Sequence, residues 1–243
     1  MSFILITFHR ELNRSKLNKC ECKIKREDLL KEKKMLHSCF SKFKENISVI
    51  SDFFFLFIRQ IKECNNCHQK YYNFKICYLF DFSLSDIYIH FNNGNQNYTN
   101  NISIKDCFNY FQRINTIIKQ NYFKCISCYN NSYFNVSNIL YATTQFILIS
   151  LNYDNTQNQN IKFEISENLE LNILNGIIKY ELCSIVGTSN EKDKNDRIIT
   201  YFKNDIDNKW NYYFNNENNL INNFEDEIKN KCKPYFLMFH QKK

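Results

Sequence analysis

Two Cys-x-x-Cys pairs, Cys64-Asn65-Asn66-Cys67 and Cys125-Ile126-Ser127-Cys128, restrict what this chain can fold into more than any other feature. A tetrahedral zinc ion takes four soft or borderline ligands. Each pair presents two thiolates from one tight turn, so two such knuckles close a complete site. The 57 residues between Cys67 and Cys125 are too many for a compact zinc ribbon. They suit a clip that joins the ends of two long hairpins. The expectation is one structural zinc on Cys64, Cys67, Cys125 and Cys128. Four thiols without metal remain the competing reading. A redox pair is disfavoured, because neither motif sits in a βαβ context. His68 flanks the first knuckle, but four cysteines already satisfy the ion, which leaves it beside the ligands or at the surface. The seven scattered cysteines, Cys20, Cys22, Cys39, Cys77, Cys107, Cys183 and Cys232, read as small buried hydrophobes.

Eleven cysteines argue for thiols and ligands only in a reducing compartment. The opening MSFILITFHRELNR has too short an apolar part, too soon acidic, for a secretory signal. No segment approaches the roughly 18 consecutive apolar residues of a membrane span. Cytoplasm or nucleus is therefore expected, with no membrane partner. The net charge of +7 comes from 32 basic residues interspersed with 25 acidic ones, which does not argue for nucleic acid. Hydrophobic residues make up 44% and aromatic residues 16%, enough to build a core and to exclude a wholly disordered chain. Only 3 Gly and 1 Pro exclude collagen-like and Gly-rich architectures.

Along the chain, Phe3, Leu5, Ile6, Phe8 and Leu12 give a helical stripe over residues 2–15. Residues 16–36 are charged and read as an insertion on the surface or poorly ordered. From Phe40 the pattern changes, and Val49, Ile50 and Phe53–Phe57 begin an apolar segment that runs to the first knuckle. Tyr78, Phe80, Phe82 and Leu84 alternate with polar or outward residues as in a strand. Asn92–Asn101 is a polar turn, and Ser103 caps a short helix with Ile104, Cys107, Phe108 and Phe111 on one face. Thereafter strands are expected at Thr144–Tyr153, Ile161–Ile165, Ile177–Val186, Arg197–Lys203, Trp210–Asn215 and Tyr235–His240. Short polar connections between them suggest antiparallel pairing. Phe146, Leu148 and Ser150 fall on one face of the first of these strands, and Ile147, Ile149 and Leu151 on the other, so it should be central. The fold class is α+β: helices first, then a large antiparallel sheet, with a metal clip between two extended arms.

The order of these features resembles that of the ubiquitin-specific proteases, papain-like deubiquitinases with a thumb, palm and fingers. FILITFHRELNR at 3–14 is similar to the family's His-Glu-Asp-Leu-Asn-like helix end. SVISDFFFLFIRQIKECNNC at 48–67 is similar to its run into the first zinc knuckle, without the family's Gln or Gly after Phe. SIKDCFNYF at 103–111 resembles the Leu-x-Asp-Cys-Leu-x-x-Phe helix, and NYFKCISC at 121–128 the Tyr-x-Cys-x-x-Cys knuckle. FILISLNY at 146–153, KYELCSIVG at 179–187 and PYFLMFH at 234–240 resemble three of its strands. The resemblance implies a remnant helical part at 1–60, with the helical thumb mostly missing and a charged insertion at 16–36. It implies zinc-clipped fingers at 61–143 and a β-rich palm at 144–243.

The same resemblance places the family's catalytic positions. Its Asn-x-Gly-Asn-Thr-Cys-Tyr box has no counterpart in these residues. Its Gly-His-Tyr motif falls on Asp196-Arg197-Ile198, so Arg197 stands where the base should be. A guanidinium stays protonated and cannot take a proton from a thiol. Its Trp-Tyr-x-Phe-Asp-Asp motif falls on WNYYFNN, which puts Asn215 or Asn216 at the orienting position. His240 is the alternative base on the last strand, with no nucleophile assigned to it. The function implied is a protease-like domain that binds ubiquitin or ubiquitinated proteins without hydrolysing them. The alternatives are an active hydrolase whose N-terminal catalytic segment is missing from this sequence, and a zinc-clipped interaction module unrelated to ubiquitin.

Overall fold

A computed structural model describes residues 27–44, 48–92, 101–117, 123–153, 161–174, 176–189, 198–214, 217–221, 223–229 and 231–242. The expected helix at 2–15, the first part of the 16–36 segment and most of the Asn92–Asn101 turn lie outside these residues. In chain order the described elements begin with helices α1 (Glu27–Lys44) and α2 (Val49–Phe54) and strands β1 (Leu56–Cys64), β2 (Lys70–Cys77) and β3 (Phe80–Ser83). Then come α3 (Leu84–Asn92), β4 (Asn101–Ser103), α4 (Ile104–Gln112), β5 (Asn115–Ile117), β6 (Phe123–Lys124), β7 (Asn131–Ser132) and β8 (Phe134–Thr143). The rest is β9 (Phe146–Asn152), β10 (Lys162–Glu164), β11 (Asn168–Ile173), β12 (Gly176–Ser189), β13 (Ile198–Lys203), β14 (Trp210–Phe214), β15 (Glu217–Leu220), a π-helical turn at Glu225–Lys229 and β16 (Cys232–Gln241).

The chain divides into two compact units. The first comprises residues 1–78, 111–144 and 172–176 and carries an antiparallel sheet in the order β2-β1-β8-β5. At one end of β1 and β2 lies an aromatic cluster: Phe55, Phe57 and Phe74 are buried, with Leu36, Cys39, Phe40 and Phe43 of α1 packed against them. Phe43 stacks on Phe55 at 4.3 Å, and Phe40 meets Phe57 at 4.8 Å. The Arg59 guanidinium bonds the Glu32 carboxylate at 2.5 Å. This corrects the expectation for 16–36: its described part, from residue 27 on, is helix, and Glu32 is partly buried by its pairing to the sheet. The helix spacing of Leu36, Cys39, Phe40 and Phe43 continues past the boundary at which the charged segment seemed to end.

The apolar segment after Val49 is also two elements. Ser48 caps α2, its hydroxyl accepting from Ser51 N–H while Ser51 Oγ accepts from Ser48 N–H. The Thr144 hydroxyl donates to the carbonyls of Phe53 and Phe55 at 2.8 and 3.1 Å, tying off the helix end before β1 begins.

The second unit comprises residues 79–110, 145–171 and 177–243. Its main sheet runs β15-β14-β13-β12-β16-β9-β3, with β11 also paired to β12. Along this strand order pairing is antiparallel except at the β3 edge, where β3 runs parallel to β9. β4 and β10 form a separate parallel pair. The wholly antiparallel sheet expected from short connections is thus corrected to a mixed one. β9 lies between β16 and β3, with Ile147, Ile149 and Leu151 buried and Phe146, Leu148 and Ser150 half-buried. The alternating segment after Tyr78 gives only the short β3, because Ser83 Oγ accepts from Asp86 N–H and Leu84 starts a helix. Phe80, Phe82 and Leu84 still bury on one core, Phe80 and Phe82 meeting Phe108 edge-on at 4.9 and 5.4 Å. Ser103 caps α4 as expected, in a reciprocal bond with Asp106.

Candidate metal centre

β1 ends in Cys64, and the chain reverses through Asn65, Asn66 and Cys67 into β2. Cys64 N–H donates to Gln69 O at 3.1 Å and His68 N–H to Cys64 O at 2.8 Å, with His68 left-handed at φ 56°. The second knuckle repeats this turn between β6 and β7. Cys125 N–H donates to Asn130 O at 2.9 Å, Tyr129 N–H donates to Cys125 O at 2.8 Å, and Tyr129 sits at φ 57°. The turn at Asn204–Asn208 has the same bonds, Asn204 N–H to Lys209 O and Asn208 N–H to Asn204 O, and the same φ of 56° at Asn208. Asn204 and Asp207 there take the places of the two cysteines.

The four sequence-predicted ligands come together. The sulfurs of Cys64, Cys67, Cys125 and Cys128 all lie within 4.8 Å of one another, Cys67 and Cys125 at 3.6 Å. A tetrahedral ion with zinc–sulfur bonds of about 2.3 Å needs sulfurs ~3.8 Å apart, so the donor set fits zinc in kind, number and spacing. Cys64 and Cys125 are fully buried among Phe134 and Val136, with Tyr71 and Cys128 packed against them; Cys67 is the accessible one.

Electrostatics agrees with an ion at this point. Burial works against a Cys64 thiolate, but the Ser132 hydroxyl and the N–H groups of Cys67 and Asn66 outweigh it and lower its pKa. The Tyr71 phenol is the largest influence on Cys125 and, with the N–H groups of Cys128 and Ser127, brings it down to about 6 despite burial. Cys67 behaves oppositely. The Gln69 N–H favours its thiolate, yet burial and the three neighbouring thiols together push it up to about 12. Four sulfurs this close cannot all ionise unless a cation compensates them, which is what a divalent ion does.

Tyr71, Ser127 and Ser132 are the members of this site that sequence reasoning missed. No spacing rule links Tyr71 to Cys125; only the fold, which sets β2 beside the second knuckle, does so. His68 is exposed and bonds Glu63 at 3.2 Å, outside the ligand set. Arg197, Asn215 and Asn216 lie outside the described residues, as do Cys20 and Cys22. Burial pushes the Cys77 thiol to about 11, Cys183 and Cys232 to about 12, and Cys107 upward as well. These four are thus protonated packing groups at neutral pH. His240 faces the Gln145 amide at 2.9 Å and stacks on Phe146 at 4.8 Å. Among the described residues, no helix is long and apolar enough to cross a membrane.

The chain matches no protein-family profile and no curated protein sequence. Its fold is similar to solved structures. One is a chain in the SAGA Ubp8/Sgf11/Sus1/Sgf73 DUB module, with TM-score 0.67 and 13% identity over 99% of this chain and 49% of that one. Another is in the yeast SAGA DUB module with an altered Sgf73, with TM-score 0.63 and 13% identity over 86% and 45%. The chain therefore spans about half the length of these neighbours. At this identity the likeness is one of architecture: an α+β, strand-rich fold of the ubiquitin-specific-protease type, with four cysteines placed to hold a zinc ion.

Proposed function

We propose that the chain is a ubiquitin-specific-protease-like domain that binds ubiquitin or ubiquitinated proteins and does not itself hydrolyse them, working in the cytoplasm or nucleus. The observation that carries this reading is the four-thiol cluster closing two hairpin turns within a protease-like fold. Zinc, when bound, supplies a cross-link: four thiolates from Cys64, Cys67, Cys125 and Cys128 leave it no open position for substrate. Against hydrolysis stand Arg197 at the base position and Asn215 or Asn216 at the orienting position of the family pattern. A thiol protease needs an activated thiolate beside an imidazole, and burial keeps Cys77, Cys107, Cys183 and Cys232 in the opposite state. The neighbours are parts of multi-protein modules, which supports a protein partner rather than a small substrate.

The test has two arms. Titration of 15N-labelled ubiquitin with the purified chain is expected to shift a contiguous patch of resonances. A fluorogenic ubiquitin C-terminal substrate is expected to stay uncleaved, also by the Arg197→His variant. Turnover abolished by substituting one particular cysteine would make the chain an active hydrolase. An unperturbed ubiquitin spectrum at a large excess of the chain would leave a zinc-clipped module unrelated to ubiquitin.

A further inference from the structure

The two knuckles belong to different hairpins. Besides the sulfurs, the Tyr71 side chain reaches from the first hairpin into the second knuckle. Tyr71, on β2, lies edge-on to Phe134 at 6.0 Å. Its hydroxyl is 3.1 Å from Cys125 Sγ, 3.2 Å from Ser127 Oγ and 3.2 Å from Ser127 N, whose N–H donates to it. A phenol has one proton and two lone pairs, so its O–H serves Cys125 Sγ and Ser127 Oγ while its oxygen accepts from the Ser127 N–H.

The direction of each bond follows from what the sulfur is. A sulfur bound to zinc is a thiolate and can only accept. The phenol proton is then shared between two acceptors, Cys125 Sγ and Ser127 Oγ, and the Ser127 N–H donates to the phenol oxygen. We propose that Tyr71 is the positioning residue of the metal centre. It holds the second knuckle in register with the first, and it draws charge from the Cys125 sulfur, so that it sets how tightly the ion is kept. This rests on the reading of the four cysteines as a zinc site.

The experiment compares the full chain with Tyr71→Phe, which keeps the ring against Phe134, and with Ser127→Ala, which removes one partner of the phenol. Zinc affinity is measured by competition with a chromophoric chelator, and the sulfur environment by the thiolate-to-cobalt charge-transfer band of the cobalt(II) form. Loss of an outer partner to a metal ligand typically weakens binding 10–100-fold. The Tyr71→Phe chain is expected to keep one metal per chain, bind zinc about 10–100-fold more weakly and show the charge-transfer band at lower energy, because the sulfur is more electron-rich. Ser127→Ala, which leaves the phenol proton to Cys125 alone, should move both readouts the opposite way by less. Wild-type zinc competition and an unmoved cobalt band in Tyr71→Phe overturn the proposal, even if that chain melts at lower temperature, since a purely structural tyrosine would leave the band in place. Should Tyr71→Phe not fold, an unchanged Ser127→Ala overturns it instead. Failure of the unsubstituted chain to take up either metal sinks the zinc reading itself, and is recognisable before any variant is made.

Discussion

An ideal Cβ on Gly187 would lie 2.5 Å from Cys232 Sγ and 2.5 Å from the Lys233 carbonyl oxygen. The β12–β16 register shifts here: Val186 faces Phe236 and Gly187 faces Pro234, leaving Tyr235 over as a bulge. The bulge brings the backbones close and gives Pro234 a place in a ladder that its missing N–H would otherwise break. Gly187→Ala is therefore expected to lower stability by about 1–3 kcal/mol, read as a shift of the urea midpoint. Adding Cys232→Ala should recover only part of the loss, because the carbonyl stays. Glu181 offers a pH-linked test. Its pKa is lowered chiefly by its bond to Lys203. A carboxylate depressed in the folded state contributes stability above its unfolded pKa and loses it as pH falls through the folded one. The group is 38% exposed, so solvent screens the pair to ~0.5 kcal/mol. Glu181→Gln is expected to cost that small amount at pH 7 and progressively less as pH falls through the lowered folded-state pKa, measured by denaturation across the acidic range. At this scale the sequence shows residues that act through their own chemistry. The four cysteines are legible from spacing alone. Tyr71 and Gly187 are not, since what makes them matter is a neighbour brought close by pairing across distant segments.

Elements were legible where one periodicity held over a whole segment. The strands β9, β12, β13, β14 and β16 read correctly because their alternation, or unbroken apolar character, is bounded by Asn- and Asp-rich turns. β11 and β15 carry weaker signals: Glu217-Asn218-Asn219-Leu220 has one apolar residue, and its strand state comes from pairing with β14. Helix α1 was obscured by its Lys and Glu residues, though its apolar stripe docks on the sheet. The strength of that docking can be measured. Phe57 is wholly buried and touches Phe40, Phe74 and Tyr141 with ring separations of 4.8, 5.4 and 5.5 Å. Phe57→Ala is expected to destabilise the chain by about 3–5 kcal/mol, with chemical denaturation as the readout. Phe40→Ala, on the half-buried helix side, should cost less and raise amide exchange in α1 first.

Across the whole molecule, the metal ligands and the strands β9, β12, β13, β14 and β16 can be read from the sequence, whereas the division into two units, each built from three separate stretches of chain, cannot. Local periodicity says nothing about which distant segments share a core. In the first unit the strand pair β1–β2 is anchored at its two ends by different physics, an aromatic cluster at one and the thiol cluster at the other. Removing metal with a chelator is expected to raise hydrogen exchange at Lys62–Cys64 and Lys70–Tyr72 while Leu56–Ile58 keeps its protection; uniform loss along β1 would mean that the aromatic end does not hold alone. Three turns match, at Cys64–His68, Cys125–Tyr129 and Asn204–Asn208. Chain reversal is common to all three, while thiols are present at two. Backbone shape and metal ligands are thus separable: the turn forms with or without thiols. The hairpin does not need the cysteines, and the Asn204 turn stands two substitutions, at Asn204 and Asp207, from presenting a third pair of thiols on the same backbone.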